Sequence, residues 1–243
     1  MAVTLMSGYS MLNMSALLSA TYQNSSSANQ SSLATNPLSA ANARVASEIA
    51  STNVKLSAYS KIQSDLVSMQ PAAATLSGIT SASTAASVVG AVQAFATSYN
   101  NATTLAYASV NGTGSLVNDV RAQAVGRDLK SVMGSTSTTN LSAMGISVNA
   151  STGALTVDTV ALQKALTANP AGVTAVLSKI GAQAAQVASR ELSATGNVGV
   201  SVASLGNQAT SLSARLAIQQ NYVTTSQSMN GNIVSAYQRI GLM

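Results

Sequence analysis

Apolar residues recur every three or four positions along most of this chain, and the interruptions divide it into segments. Residues 1–18 carry a thin helical pattern (Leu5, Met11, Leu12, Leu17, Leu18). The following SATYQNSSSANQSSLATN is polar and low in complexity, which reads as a linker. Pro37 opens a long helical stretch. From Leu38 to Gln70 a seven-residue repeat fits, with Leu38, Val45, Thr52, Tyr59 and Leu66 at one inward position and Asn42, Ile49, Leu56, Gln63 and Gln70 at the other. Six of these ten are apolar, so the predicted seam is modest. Arg44 with Glu48 and Lys61 with Asp65 stand four apart and add slight surface support. Pro71 is expected to end the helix, because it lacks the N–H that continues the ladder.

The last forty residues repeat the theme. Leu205, Leu212, Gln219, Ser226, Ile233 and Ile240 alternate with Ala209, Leu216, Val223, Asn230 and Tyr237 at coiled-coil spacing. Eight of these eleven are apolar, and the polar ones weaken a seam while fixing its register. At 1.5 Å per residue such a helix is roughly 55 Å long. Two seamed helices near the two ends predict a helical hairpin or bundle closed by the termini. The same stripes could also pack wholly inside one monomeric bundle.

Between them, Val88, Val92, Phe95 and Tyr99 mark one apolar face. VNGTGS (110–115) breaks it, and Leu116, Val120 and Ala124 resume a helix with Arg121 and Arg127 outward. GSTSTTN (134–140) reads as a loop. Ile146 and Val148 then alternate like a strand, NASTG turns, and Leu155 and Val157 alternate again. Asp158 stands where a helix N-cap belongs, ahead of Val160, Leu162 and Leu166. Asn169-Pro170 starts a further short helix, which Gly181 can close.

Composition narrows the function classes. The chain is 47% hydrophobic, but Ala supplies much of that, and aromatics reach only 3% with Phe95 the single Phe. Long helices that bury narrow seams suit such a mixture better than a thick core. Only 7% of residues are charged, which favours association over a dispersed monomer. The net charge of +5 comes from cations scattered singly from Arg44 to Arg239, not from the clustered stripe a nucleic-acid surface needs. With no Cys and no His, thiol nucleophiles, disulfides, the usual zinc sites and His-based triads are excluded. The carboxylates Glu48, Asp65, Asp119, Asp128, Asp158 and Glu191 are spread along the chain without a close pair. GTGS (112–115) lacks the Gly-Lys-Ser/Thr ending of a phosphate loop. No catalytic constellation emerges, and no cofactor or metal is expected. The N-terminus lacks the basic region of a secretory signal, and AASVVGAVQAFA is too short to span a bilayer.

LSAMGISVNASTGALTVDTVALQKALTANPAGVTAVLS resembles the C-terminal region of the flagellar filament-cap, or hook-associated protein 2, family. The matching positions are Leu141, Gly145, Ile146, Gly153, Leu155, Val157, Asp158, Leu162, Leu166, Asn169, Val173 and Leu177. Upstream, Phe95, Tyr99 and Asn100 are similar to the family's Phe-Val-x-x-Tyr-Asn segment, and GSLVNDVRAQAVGRDLKSVM looks like its following helix. KLSAYSKIQSDLVSMQPAAATL resembles the family's first long helix, and MSGYSMLNMSALL is faintly similar to its leader. Family members usually carry large β-rich outer domains between that helix and the Phe/Tyr-Asn segment. Here the stretch after Leu76 is too short for them, which leaves the axial, polymer-forming part.

The expected fold is mainly α: long N- and C-terminal helices form a coiled-coil or helical-bundle core, with a small α+β subdomain containing a β-hairpin. The expected organisation is a leader and linker (1–36), a first helical part (37–133), the hairpin subdomain (134–181) and a C-terminal helical part (182–243). The assembly seam is predicted at Leu38, Val45, Ile49, Leu56, Tyr59, Leu66, Leu205, Leu212, Leu216, Val223, Ile233, Tyr237 and Ile240, with Asp158 a structural cap. The resemblance implies a non-enzymatic structural protein on a bacterial surface appendage. It would be exported without a cleaved signal peptide and assemble with copies of itself or other flagellar axial proteins. The expected product is a cap or a homopolymeric filament; a secreted adhesin or other binding module is the alternative. Neither nucleic acid nor a membrane span is expected.

Overall fold

The computed structural model describes residues 37–240 except 111, 113, 135 and 137, without the side chains of 37, 38, 109, 110, 138 and 139. The leader and linker predicted over 1–36 lie outside the described residues. By internal contacts the chain divides into two units, Met1–Ala40 and Ala41–Met243. Of the first, only residues 37–40 are described, as the opening of a helix. The fold is mainly α, built on long helices, with one two-stranded antiparallel hairpin among the described residues.

Helix α1 spans Pro37–Ser77 and continues past Pro71, where the sequence predicts an end. Pro71 removes the N–H that would reach the carbonyl of Val67. Both residues lie on the solvent face, so water can serve that carbonyl. The opposite face continues past the proline with Ala73 and Leu76, both buried, and that packing holds the helix together. The buried stripe also leaves the predicted repeat. After Tyr59 it follows Ile62, Leu66, Met69, Ala73 and Leu76, so Ile62 and Met69 take the inward places assigned to Gln63 and Gln70. The alternation of three and four residues persists; only its phase changes.

Residues 78–84 turn α1 directly into α2 (Ala85–Val110), whose Val88, Val92, Phe95 and Tyr99 are all buried. The Phe95 and Tyr99 rings meet with centroids 5.7 Å apart. In α3 (Val120–Gly134) the inward face is Ala122, Val125, Leu129, Val132 and Met133, whereas Val120 is exposed. A period counted from Leu116 places this face two residues early, because Leu116 belongs to the preceding loop. The segment predicted as a loop up to Asn140 already turns helical at Thr138, opening the short α4 (Thr138–Ala143).

Strands β1 (Ile146–Val148) and β2 (Leu155–Val157) pair with Ile146 opposite Val157 and Val148 opposite Leu155. Helix α5 (Thr159–Ala168) follows, then α6 (Pro170–Leu192), which starts on the Asn169 cap with Pro170 in its first turn. Gly181 does not close α6; it lies buried in the middle of it. A Cβ there would stand 2.5 Å from the Ser77 nitrogen and 2.6 Å from the Ala73 oxygen. Its role is close approach: α1 and α6 touch backbone to backbone at this point, and Ser178 Oγ donates to the Ser77 carbonyl at 2.6 Å. Helix α7 (Asn197–Arg239) completes the described chain. The main core joins α1, α2, α3, the hairpin, α5, α6 and the start of α7.

Candidate functional site

The long helices place the predicted seam residues in three different environments. Val45 and Ile49 of α1 form a small separate cluster with Leu212 of α7, and Leu216 packs against it half-buried. Tyr59 and Leu66 belong to the main core, where Leu205 joins them as a partly buried neighbour. Leu56 and Val223 are half-buried. Ile233, Tyr237 and Ile240 are exposed, and the side chain of Leu38 lies outside the described residues. Among the described residues the structure therefore brings together the middle of the seam and leaves Ile233, Tyr237 and Ile240 at its C-terminal end exposed.

Two polar seam members matter for the same reason. Asn42 and Gln219 each bury a side-chain oxygen that finds no partner among the described residues. An unmatched buried oxygen costs about 1–3 kcal/mol, so this end of the pairing is weaker than the Val45–Leu212 contact beside it.

Farther along, Tyr59 fixes α1 to the start of α3. Its hydroxyl donates to Asp119 Oδ1 at 2.6 Å, and Ser201 of α7 hydrogen-bonds the same phenol. Asp119 Oδ1 also accepts from the backbone N–H groups of Arg121 and Ala122 at 3.0 and 3.1 Å, serving the donors that a helix start leaves open. Burial, reinforced by the Asp119 hydrogen bond, raises the Tyr59 pKa well above the usual phenol value. The phenol stays protonated and acts as a structural donor. Lys55, Val117, Asn118 and Arg121 line an open groove beside Asp119; the carboxylate there already holds three hydrogen bonds.

The hairpin is anchored by a residue that local pattern does not single out for this purpose. Asn100 of α2 presents its amide to β2: Leu155 N–H donates to Asn100 Oδ1 at 2.7 Å, and Asn100 Nδ2 donates to the Leu155 carbonyl at 2.9 Å. One side chain thus pairs the free edge of β2 as a third strand would. One residue back, Tyr99 donates its hydroxyl to the Leu129 carbonyl at 3.0 Å, tying α2 to α3. Burial raises its pKa as well. The Tyr-Asn pair therefore clamps the hairpin and α3 to the same helix.

Asp158 ends the hairpin and begins α5. Its Oδ1 accepts from the N–H groups of Val160 and Ala161 at 2.9 and 3.0 Å, and its own N–H donates to the Gly145 carbonyl. Gly145 has a φ of +73°, and a Cβ there would meet Ala161 and the Asp158 carbonyl at 2.7 Å. The family-like Gly-Ile at the hairpin's start is thus a backbone requirement.

At the corner between α6 and α7, Glu191 is buried with about 1% of its side chain exposed. Its Oε2 accepts from the Asn197 backbone and side-chain nitrogens at 3.2 and 3.0 Å. Gly196 offers α7 no side-chain cap, so Glu191 supplies the missing acceptor. Arg190 pairs with Asp128 at 3.0 Å and reaches Glu191 at 3.7 Å. Burial, with the hydrogen bond to Asp128 adding to it, raises the Glu191 pKa. Sequence reasoning sees only two unrelated carboxylates here, because Asp128 and Glu191 meet through the fold.

Among the described residues no cluster of carboxylates could hold a metal ion, and no helix is long and apolar enough to cross a membrane. The family model described as flagellar hook-associated protein 2 C-terminus matches residues 62–239. No curated protein and no solved structure matches the chain.

Proposed function

Because the chain belongs to the flagellar hook-associated protein 2 family, we propose that it is a non-enzymatic structural protein of the filament-cap type. It works outside the cell and self-assembles through its terminal helices. The observation that carries this is the contrast along α7. Its first half is held by Val198 in the main core and by Leu212 in the small cluster with Val45 and Ile49, while its second half and the following Ile240 present Tyr222, Met229, Ile233, Tyr237 and Ile240 to solvent. A helix that keeps such side chains uncovered is built to meet another surface.

The division of labour is mechanical. The hairpin, α5 and α6 form the rigid body, held by Asn100, Asp158 and the Gly181 contact. The α1–α7 pairing projects the assembly surface from it. Partners are further copies of the chain and other flagellar axial proteins. The connection over residues 78–84 carries no outer domain between α1 and α2, so the surface that meets the filament would belong to the helices themselves.

Immunogold electron microscopy of flagellated cells with antibody to this chain tests the assignment. Label confined to filament tips is the expected result. Label along the whole filament would replace the cap with a homopolymer subunit, and label absent from flagella would remove both.

A further inference from the structure

Asp128 and Glu191 share one guanidinium. Arg190 Nη2 lies 3.0 Å from Asp128 Oδ2, and its Nε lies 3.7 Å from Glu191 Oε1. Two carboxylates thus stand on one cation, and that of Glu191 is buried. The other elements packed here add no charge to face it. On α3, Arg127 and Lys130 flank Asp128 but are exposed. α7 carries no charge before Arg215. α1 reaches this end of α6 through Gln70, which hydrogen-bonds Ser189, and its nearest charged residue in sequence, Asp65, is paired with Lys61. A buried charge without its own partner is costly, and two close carboxylates relieve that cost by holding one proton between them.

What hangs on this pair is the root of α7. Glu191 Oε2 accepts from both Asn197 nitrogens, where Gly196 has no side chain to cap the helix. The corner is tight: a Cβ at Gly196 would stand 2.5 Å from the Glu191 carbonyl oxygen. Val198 and Ser201 just beyond are buried, and Ser201 hydrogen-bonds Tyr59 of α1. We propose that Glu191 and Asp128 form a proton-operated latch. One proton held between them fastens the first turn of α7 to α3 and α6, and its loss loosens that turn.

Protonated, Glu191 donates to Asp128 while its other oxygen still accepts from Asn197, and Arg190 balances the one remaining negative charge. Ionised, the two carboxylates repel each other across a single guanidinium. Burial, and then the hydrogen bond to Asp128, raise the Glu191 pKa; Asn197 and Arg190 act the other way and are outweighed. The fold therefore favours proton uptake. The latch is fully closed below the ordinary value of 4.5 and is released as pH rises through the folded pKa. It depends on the packing of α3, α6 and α7 and not on assembly. Its consequence is that pH sets how firmly the proposed assembly helix is held at its root.

Hydrogen exchange of the full chain between pH 5 and 8, corrected for the intrinsic pH dependence of exchange, reads the latch at the amides of residues 197–201. Their protection is expected to fall by at least about three-fold more than that of the Leu155 amide across this range. Glu191→Gln should flatten the difference, since its amide donates to Asp128 and accepts from Asn197 at every pH. Asp128→Asn, a change at a partly exposed residue, should flatten it as well, because the repelling charge is gone. A parent chain whose 197–201 amides follow Leu155 at every pH would overturn the latch. A Glu191→Gln chain that keeps the parent slope would reduce Glu191 to a cap and overturn its titration. The parent slope surviving in Asp128→Asn would overturn the shared proton.

Discussion

Replacing Gly181 by Ala sets helix propensity against packing, and the structure decides the sign. Ala in a helix interior is favoured over Gly by about 1 kcal/mol. The added Cβ at position 181, however, would lie 2.5 Å from the Ser77 nitrogen, 2.6 Å from the Ala73 oxygen and 2.9 Å from the Leu76 carbonyl carbon. All three are backbone atoms, so no side chain can swing aside. α1 must retreat from α6 by about 1 Å, which strains a packed core by about 1–3 kcal/mol. The retreat also stretches the Ser178–Ser77 hydrogen bond of 2.6 Å, a loss of about 1 kcal/mol. The net expectation is destabilisation by about 1–3 kcal/mol, a fall in Tm of roughly 3–10 °C for a unit of this size. Gly90 of α2 is the control, since a Cβ there meets nothing within 4 Å; Gly90→Ala should stabilise by about 0.5–1 kcal/mol. Thermal and urea unfolding followed by circular dichroism reads both. A Gly181→Ala chain as stable as the parent would refute the backbone contact between α1 and α6.

Asn100→Ala leaves the Leu155 N–H and carbonyl without their pairing and should cost about 2–4 kcal/mol; hydrogen exchange at the Leu155 amide should accelerate ahead of the α3 amides, and unchanged protection there would contradict the clamp. Glu191→Gln tests the buried corner through pH. Folding raises the Glu191 pKa above its ordinary value of 4.5, so its favourable contribution is full below that value and is lost as pH rises through the folded pKa. The glutamine, which can donate to Asp128 and accept from Asn197, should therefore gain on the parent chain between pH 5 and 8, by at most about 1.4 kcal/mol per unit. Urea curves that stay parallel across that range would deny the shift. Replacing Gln219 by Leu removes a buried oxygen without a described partner and should stabilise the α1–α7 pairing by about 1 kcal/mol, read by urea unfolding; a loss of stability would mean that the amide is satisfied.

The hairpin subdomain is legible because its signals are local. Ile146, Val148, Leu155 and Val157 alternate within twelve residues, and Asp158 follows in cap position. What escapes the sequence depends on residues far apart. Asn100 and Leu155 are 55 positions apart, and nothing around Asn100 announces an edge to be paired. Pro71 and Gly181 look like helix ends because local propensity says so, yet packing on the face opposite Pro71 and close packing of Gly181 itself against α1 override that. The inward phase of α1 was readable: Tyr59, Ile62, Leu66, Met69, Ala73 and Leu76 form an unbroken run. A rigid seven-residue count stepped over Ile62 and Met69. In α7 the same counting runs from Leu212 and Leu216, packed with α1, to Ile233, Tyr237 and Ile240, which are exposed, since one-dimensional spacing does not separate residues packed inside from residues left outside.

Sedimentation velocity of the full chain over a range of concentrations, parent beside Leu216→Asp, tests the central claim most directly. Leu216 packs half-buried against the α1–α7 cluster; a carboxylate there is costly and loosens the helix pairing that presents the exposed side chains of α7 for assembly. The parent is expected to form species larger than one chain. The variant should remain a monomer, with the hairpin's Leu155 amide still protected from exchange. A parent chain that stays monomeric at every concentration, or a variant that assembles to the same size, would contradict assembly through the terminal helices.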